Sequence, residues 1–477
     1  MTLGPTPAPD RGDVLAPPAD RGSRHTRRSP HERLLNPRSI AVVGASADTR
    51  KVGGRIISFL RKFGYRGPII PINPKYSDIQ GEACAPSVDA MPLGVDLVII
   101  CVKPEDAAAA FRAACERAVG AAIISSSGFA EVGTAGAALQ SELAELARAH
   151  EVLLVGPNSL GLLSLVNGLC ASFASTLATL PAFEAGRVPL VTQSGGFGMN
   201  VYVEALAQGA RFSHLITTGN EAGATVAGFI EYFAADPTTP AIIGQLEGAR
   251  EPDALIATVT RATAAGKRVA LLATSSSEIA DPVVAAHTAL PPLGVDLLDT
   301  LFTECGAIRL ATLDEMIDFA TLAEFRGRAP LAVASVSGGT AAYIADWCAR
   351  LDVPLANLAA ETLASLERII PAFGRVGNPT DVTAQIVQDV GLLREVLEAL
   401  AADKGVGAIL LFLGGMEDQA EAIRDTLQAA DLRGRPMAVC WAGVREGARQ
   451  TLAGTAPVLR DPLRFLRAFA LWNRASR

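Results

Sequence analysis

Short apolar runs, separated by glycine turns and amphipathic stretches, organise the chain from residue 39 onward. Ser39–Val43, Ile69–Ile72, Asp96–Val102 and Ala121–Ser125 are largely apolar and too short for core helices. Such runs read as parallel strands covered on both faces. Between them, Gly53–Phe63, Glu105–Val119 and Ala135–Ala149 space their apolar residues as helices do. Alternating strands and helices predict a doubly wound parallel sheet over residues 34–155.

Two further sets follow the same rule. Pro189–Thr192, His214–Thr217, Ala241–Gln245 and Val269–Leu272 predict the strands of a second unit, residues 156–326. Leu331–Ser335, Val406–Leu413 and Pro436–Trp441 predict those of a third, residues 327–477. Both units repeat one device, a strand running into Ser-Gly-Gly and then a helix, at Ser194-Gly195-Gly196 and Ser337-Gly338-Gly339. The expected fold is α/β, a Rossmann-like domain followed by two flavodoxin-like, doubly wound domains. Residues 1–33 are rich in Pro, Arg and Asp, lack apolar periodicity, and read as a disordered tail.

Composition narrows the function classes. The chain is 49% hydrophobic but only 5% aromatic, so its cores are aliphatic. The mean hydropathy is +0.29. No uncharged apolar run reaches about 18 residues, so no membrane span is expected. A net charge of −7 argues against nucleic acid as the main partner. Seven cysteines form no CxxC pair and no metal-ligand spacing, and read as buried thiols of a reducing compartment. No apolar segment follows Met1 as in a secretory signal, and a cytoplasmic location is expected.

Chemistry concentrates at the turns. Val43-Gly44-Ala45-Ser46, with Lys51-Val52-Gly53-Gly54 downstream, lets backbone N–H groups approach a phosphate at a helix start, although a plain βα turn looks the same. It is not the GxGxxG of dinucleotide sites, and the second strand ends in Asn73-Pro74-Lys75 rather than in an acidic residue. A lysine there suits a nucleotide phosphate such as that of coenzyme A. Of five histidines, only His287 stands in a small-residue segment among such turns. A neutral imidazole is nucleophilic near pH 7 and can carry a phosphoryl group.

The ordered set Ser46, Val52, Asn73-Pro74-Lys75, Gly128-Phe129-Ala130-Glu131, Gly156-Pro157-Asn158-Ser159, Gln193-Ser194-Gly195, Gly219-Asn220, Leu246-Glu247-Gly248, Ala286-His287-Thr288 and Asn378-Pro379-Thr380-Asp381 resembles the NDP-forming acyl-CoA synthetases. That superfamily includes the α-subunit of succinyl-CoA synthetase. The resemblance covers roughly residues 34–470. It implies that Ser46 and Lys75 contact the CoA nucleotide, with Gly44 and Val52 shaping its pocket. Ser126, Ser127 and Gly128 would lie along the pantetheine arm. His287 would be the phosphorylated histidine, and Ser194, Gly195 and Gly196 would open the helix that holds its phosphate. Glu247 would orient the imidazole. No ATP-grasp pattern follows the third set, so the NTP/NDP site and its Mg would belong to an ATP-grasp β-type subunit in a hetero-oligomer, and this chain would hold no metal.

The sequence departs from the family pattern in the histidine half. Leu272-Ala273-Thr274-Ser275 stands where many relatives carry a lysine and a glycine, and Ala289 where a glycine is common. No acidic residue stands near Gly223, where an aspartate is usual. Two other readings therefore stay open. One is a non-catalytic CoA or acyl-CoA binding protein. The other is an acyl- or carbamoyl-transferring relative without histidine phosphorylation.

Overall fold

The computed structural model describes residues 28–180, 182–274, 290–372, 374–383 and 389–474. Ile40-Ala-Val-Val, Leu97-Val-Ile-Ile and Ala121-Ala-Ile-Ile are buried at every position, as strands covered on both faces must be. With Ile69–Ile72 and Leu153–Val155 they form a five-stranded parallel sheet. Ile69–Ile72 pairs on one side of Ile40–Val43 and Leu97–Ile100 on the other. The winding therefore reverses between Ile40–Val43 and Leu97–Ile100, and a crevice opens beyond their C-terminal ends.

The second sheet has seven strands, in the order Ile308–Leu310, Arg268–Ala273, Ala241–Leu246, Val188–Thr192, Phe212–Thr217, Gly161–Ser164 and Leu169–Ser172. The first five run parallel, while Gly161–Ser164 and Leu169–Ser172 form an antiparallel hairpin along one edge. The winding reverses between Val188–Thr192 and Ala241–Leu246. In the third sheet, Thr380–Asp381, Leu331–Ser335, Ala408–Gly414, Met437–Ala442 and Val458–Leu459 are all parallel. The expected doubly wound α/β architecture is thus present three times. The edge hairpin and the two-residue strands were not expected, because runs so short carry no readable period.

The first two sheets are joined by backbone. Gly156 N donates to Thr218 O at 3.1 Å, Ala222 N to Gly156 O at 3.0 Å and Ala224 N to Leu154 O at 2.7 Å. Residues 218–224 thereby pair along the free edge of Leu153–Val155. One apolar cluster runs through both layers, from Leu34, Ile40 and Ile99 to Ile216, Phe229 and Ile242. The third sheet is held to the second by the helices Leu313–Phe325 and Pro462–Arg474. Between them Arg464 meets both carboxylate oxygens of buried Asp318, at 2.8 and 2.7 Å, and Phe319 packs on Trp472.

The tail expected to reach residue 33 gives way to structure earlier. Pro30–Leu35 is a helix, started by a capping box between Ser29 and Glu32. It buries Leu34 and Leu35. Arg28 and Arg33 both reach Asp96, at 2.6 and 2.8 Å. His31 is no loose residue either, since its ring stacks on Tyr232 at 4.7 Å. Cys84 and Cys101 are only half-buried, while the other five cysteines are buried as expected. Among the described residues no helix is long and apolar enough to cross a membrane.

Asp96 also accepts from Arg38 N at 2.8 Å, so its carboxylate gathers three donors on the N-terminal segment. Asp96→Ala leaves two guanidinium groups short of their anion. It should cost about 3–5 kcal/mol in denaturant unfolding and expose the peptide bonds before Leu34 to protease.

Candidate functional site

The first crevice is shaped by glycines. Gly44, at φ +82°, turns the chain directly after the strand, and a Cβ there would lie 2.8 Å from Cys101 O. A Cβ on Gly53 would lie 2.2 Å from Gly44 O, so the helix Val52–Lys62 starts pressed against that turn. Asn73 fixes the rest: its amide donates to Ala45 O at 2.8 Å and its carbonyl accepts from Lys75 N at 3.0 Å. Ser46 is buried and its hydroxyl accepts from Asp48 N, while Val52 and Lys75 are exposed. On the next strand but one, Ser126 Oγ donates to Val102 O. Ser127 is exposed, and Gly128, at φ +105°, donates its N–H to Glu131 Oε1 at 2.6 Å. Gly44, Ser46, Val52, Lys75 and Ser126–Gly128 all stand beyond the C-terminal ends of the first sheet.

The second crevice gathers Ser194, Gly195, Gly196 and Glu247. Ser194 caps the helix Gly195–Ala207, accepting from Phe197 N. Gly195 is packed, since a Cβ would meet Leu160 at 2.7 Å, but among the described residues a Cβ on Gly196 would meet nothing within 4 Å. No described residue covers that side of the helix start, whose N–H donors and partial positive charge suit an anion. Two glutamines build the crevice. Gln193 accepts from Glu247 N and from Gly248 N, and donates to Gly248 O at 2.9 Å. Gln245 accepts from Ser194 N at 3.1 Å and donates to Thr274 Oγ1 at 3.0 Å. Gln245 went unnoticed in the sequence because it occupies a core position of a strand, where a polar residue carries no period of its own. Thr274 N donates to Leu246 O at 2.9 Å, and Ala249 N to Pro291 O at 3.0 Å. Thr274 and Pro291, on either side of residues 275–289, thus both pair with this turn. His287 itself lies outside the described residues.

The third unit repeats the wiring with a different result. Ser335 Oγ donates to Ser337 O, as Thr192 Oγ1 does to Ser194 O, and Ser337 caps its helix through Thr340 N. Here, however, a Cβ on Gly338 would lie 2.6 Å from Asp381 Oδ2. The chain's own carboxylate stands against this helix start. Among the described residues no group of His, Cys, Asp and Glu is arranged to hold a metal ion.

Two family models match this chain, a CoA binding domain over residues 38–164 and a succinyl-CoA ligase-like flavodoxin domain over residues 185–323. The chain belongs to the NDP-forming acyl-CoA synthetase superfamily. Among relatives, it is 32% identical to acetate–CoA ligase (ADP-forming) I of Archaeoglobus fulgidus, over 94% of this chain and 64% of that protein. It is 29% identical to the α-subunit of acetate–CoA ligase (ADP-forming) II of Pyrococcus furiosus, over 74% of this chain and 76% of that subunit. The fold is that of the dinucleotide-forming acetyl-coenzyme A synthetase 1 of Candidatus Korarchaeum cryptofilum, with a TM-score of 0.83 at 24% identity, over 92% of this chain and 96% of that one. The chain spans less than two thirds of the length of the Archaeoglobus enzyme.

One acidic residue beside the second crevice is not apparent from the sequence, where an aspartate is expected nearer Gly223. Glu221 is buried, in a left-handed backbone conformation of φ 55°. Its carboxylate accepts from Thr218 Oγ1 at 3.0 Å and Val226 N at 2.8 Å. It lines a cleft of about 910 Å³ together with Gln193, Leu246, Gly248 and Arg250. Burial pushes its carboxyl up to about 7, against the hydrogen bonds from Val226, Thr218 and Gln193 and the charge of Arg250, which favour the anion.

The sign of the pH effect follows. In the unfolded chain this carboxyl ionises near about 4.3, well before it does in the folded protein. Its contribution to stability is whole below that value and is lost as pH rises through 7. Glu221→Gln removes the titration. Between pH 5 and 6.5 the variant should gain on the parent by about 1.4 kcal/mol per pH unit, measured by denaturant unfolding at each pH. A constant gap would show that Glu221 ionises as an ordinary carboxylate.

Proposed function

We propose that this chain supplies the CoA site and the phosphoryl-carrying histidine of an NDP-forming acyl-CoA synthetase. The reaction is acid + CoA + NTP ⇌ acyl-CoA + NDP + phosphate. The observation that carries this reading is the coupling of two crevices on one frame. One has the glycine turn, Ser46 and Lys75, and the other has a helix start at Gly196 that no described residue covers. Residues 34–155, 156–326 and 327–477 act as its three domains.

In this reading, Lys75 and the Gly44–Ser46 turn hold the CoA nucleotide, beside Val52. Ser126, Ser127 and Gly128 flank the pantetheine arm and lead the thiol toward the second crevice. His287 takes the γ-phosphoryl group from the NTP, releasing NDP, and passes it to the acid as an acyl phosphate. The CoA thiol then attacks the acyl carbonyl, phosphate leaves, and the thiol proton is released. Ser194, Gly195 and Gly196 open the helix whose N-terminus holds the phosphoryl group. Glu247 orients the imidazole. The nucleotide and its Mg sit on an ATP-grasp β-type subunit in a hetero-oligomer. Support for a separate subunit comes from the Pyrococcus relative, which is itself named an α-subunit. Ala273, at the end of its strand where many relatives carry other residues, favours a second reading, a CoA-binding protein without phosphoryl transfer.

Titration calorimetry on the chain decides the binding half. CoA should bind and NAD should not, and the reverse preference would sink the assignment. Lys75→Ala should weaken CoA by about 1–3 kcal/mol if the ammonium meets a phosphate, with no change in thermal midpoint because Lys75 is exposed.

A further inference from the structure

A buried polar chain links the two crevices, and one residue stands at its centre. Asn220 is 0% exposed, yet every polar atom of its side chain is used. Its amide donates to Glu131 Oε2 at 2.6 Å and to Gln140 Oε1 at 3.0 Å, and its carbonyl accepts from Asn158 Nδ2 at 3.3 Å. Glu131 and Gln140 belong to the first unit, Asn220 to the second. The other oxygen of Glu131 accepts from Gly128 N at 2.6 Å. On its own side, Asn220 follows Gly219, whose N–H donates to Gln193 O at 3.1 Å. Gln193 in turn holds Glu247 N and Gly248 N.

We propose that Asn220 and Glu131 are positioning residues for CoA, presetting the Gly128 loop from the second unit; this rests on the reading of that loop as the pantetheine site. The physical reason is geometric. Gly128 sits at φ +105°, a conformation that few local forces hold, and its N–H is fixed by one carboxylate oxygen. That carboxylate lies near a domain joint and would turn freely without a second anchor. Asn220 supplies the anchor through a short, charge-assisted bond. The bond also orients the loop relative to Gln193 and the helix start at Gly196, where the thiol must meet the acyl group.

Three variants separate positioning from mere packing. Asn220→Ala removes the anchor. Glu131→Gln leaves one oxygen to serve two donors. The pair Glu131→Gln with Asn220→Asp reverses the bond, because the new amide donates to the new carboxylate while its oxygen still serves Gly128, and Gln140, which loses its donor, turns its own amide toward that carboxylate. CoA affinity is read by calorimetry on the chain. Phosphoryl loading from NTP, which needs no CoA, is read with an ATP-grasp partner. Each single variant should weaken CoA about tenfold or more and leave phosphoryl loading unchanged. The reversed pair should recover most of the lost affinity. CoA affinity unchanged in both singles overturns the inference, as does an equal loss of CoA binding and phosphoryl loading. Parent protein that fails to bind CoA overturns the underlying reading instead. Should Asn220→Ala fail to fold, Glu131→Gln and the reversed pair decide alone.

Discussion

The backbone pairing of residues 218–224 with the edge of Leu153–Val155 is the constraint on which the rest depends. Three N–H to carbonyl bonds, one to Leu154 and two at Gly156 directly after that strand, make the loop after Phe212–Thr217 run along the edge of the first sheet. Carbonyls and amides buried at such a joint must pair or incur a large desolvation cost, so the joint has a fixed register rather than a sliding contact. Gly219 shows how close the approach is, because a Cβ there would lie 2.3 Å from Pro157 O. Everything proposed for the crevices assumes that a thiol held by one sheet meets a group held by another at a fixed distance. That distance is set here by backbone, and the Asn220–Glu131 bond orients the loop upon it.

The same short turn serves two ends. Thr192-Gln193-Ser194-Gly195-Gly196 and Ser335-Val336-Ser337-Gly338-Gly339 share a hydroxyl that ties down the cap residue and a serine that caps the helix. What distinguishes them is the space in front. The first glycine faces the Leu160 side chain at Gly195 but the Asp381 carboxylate at Gly338, while the second glycines, Gly196 and Gly339, are alike in meeting no described atom within 4 Å. A helix start that already has a carboxylate against it has less to offer a phosphoryl group. This difference explains why the proposed chemistry is assigned to the second unit, although both carry the motif.

Much of the fold could be read from local pattern. Buried strands such as Leu97–Ile100 and Ala408–Gly414 are apolar at nearly every position, which is what a parallel sheet requires. Where pattern failed, the reason was contact distant in sequence. The helix Pro30–Leu35 is one and a half turns long and owes its place to Asp96, more than 60 residues away. Its local signal, Ser29 and Glu32 at capping-box spacing, was present but lay among prolines and arginines. The candidate site was legible where glycines mark close approach, at Gly44, Gly128 and Gly195. Gln193 and Asn220 stood in the family motifs without a role, and Gln245 and Glu221 were not legible at all. Their roles arise from partners on other strands, and polar residues in a turn otherwise look solvated.

Phosphorylation of His287 tests the central claim most directly. The chain is incubated with an ATP-grasp partner and γ-labelled NTP, then mapped by mass spectrometry beside His287→Ala. Imidazole is the side chain here whose ordinary pKa leaves it neutral and nucleophilic near pH 7. The account predicts one phosphate, on His287, labile to acid and stable to base, and absent from the alanine variant along with acyl-CoA synthesis. Normal acyl-CoA synthesis by His287→Ala would contradict it.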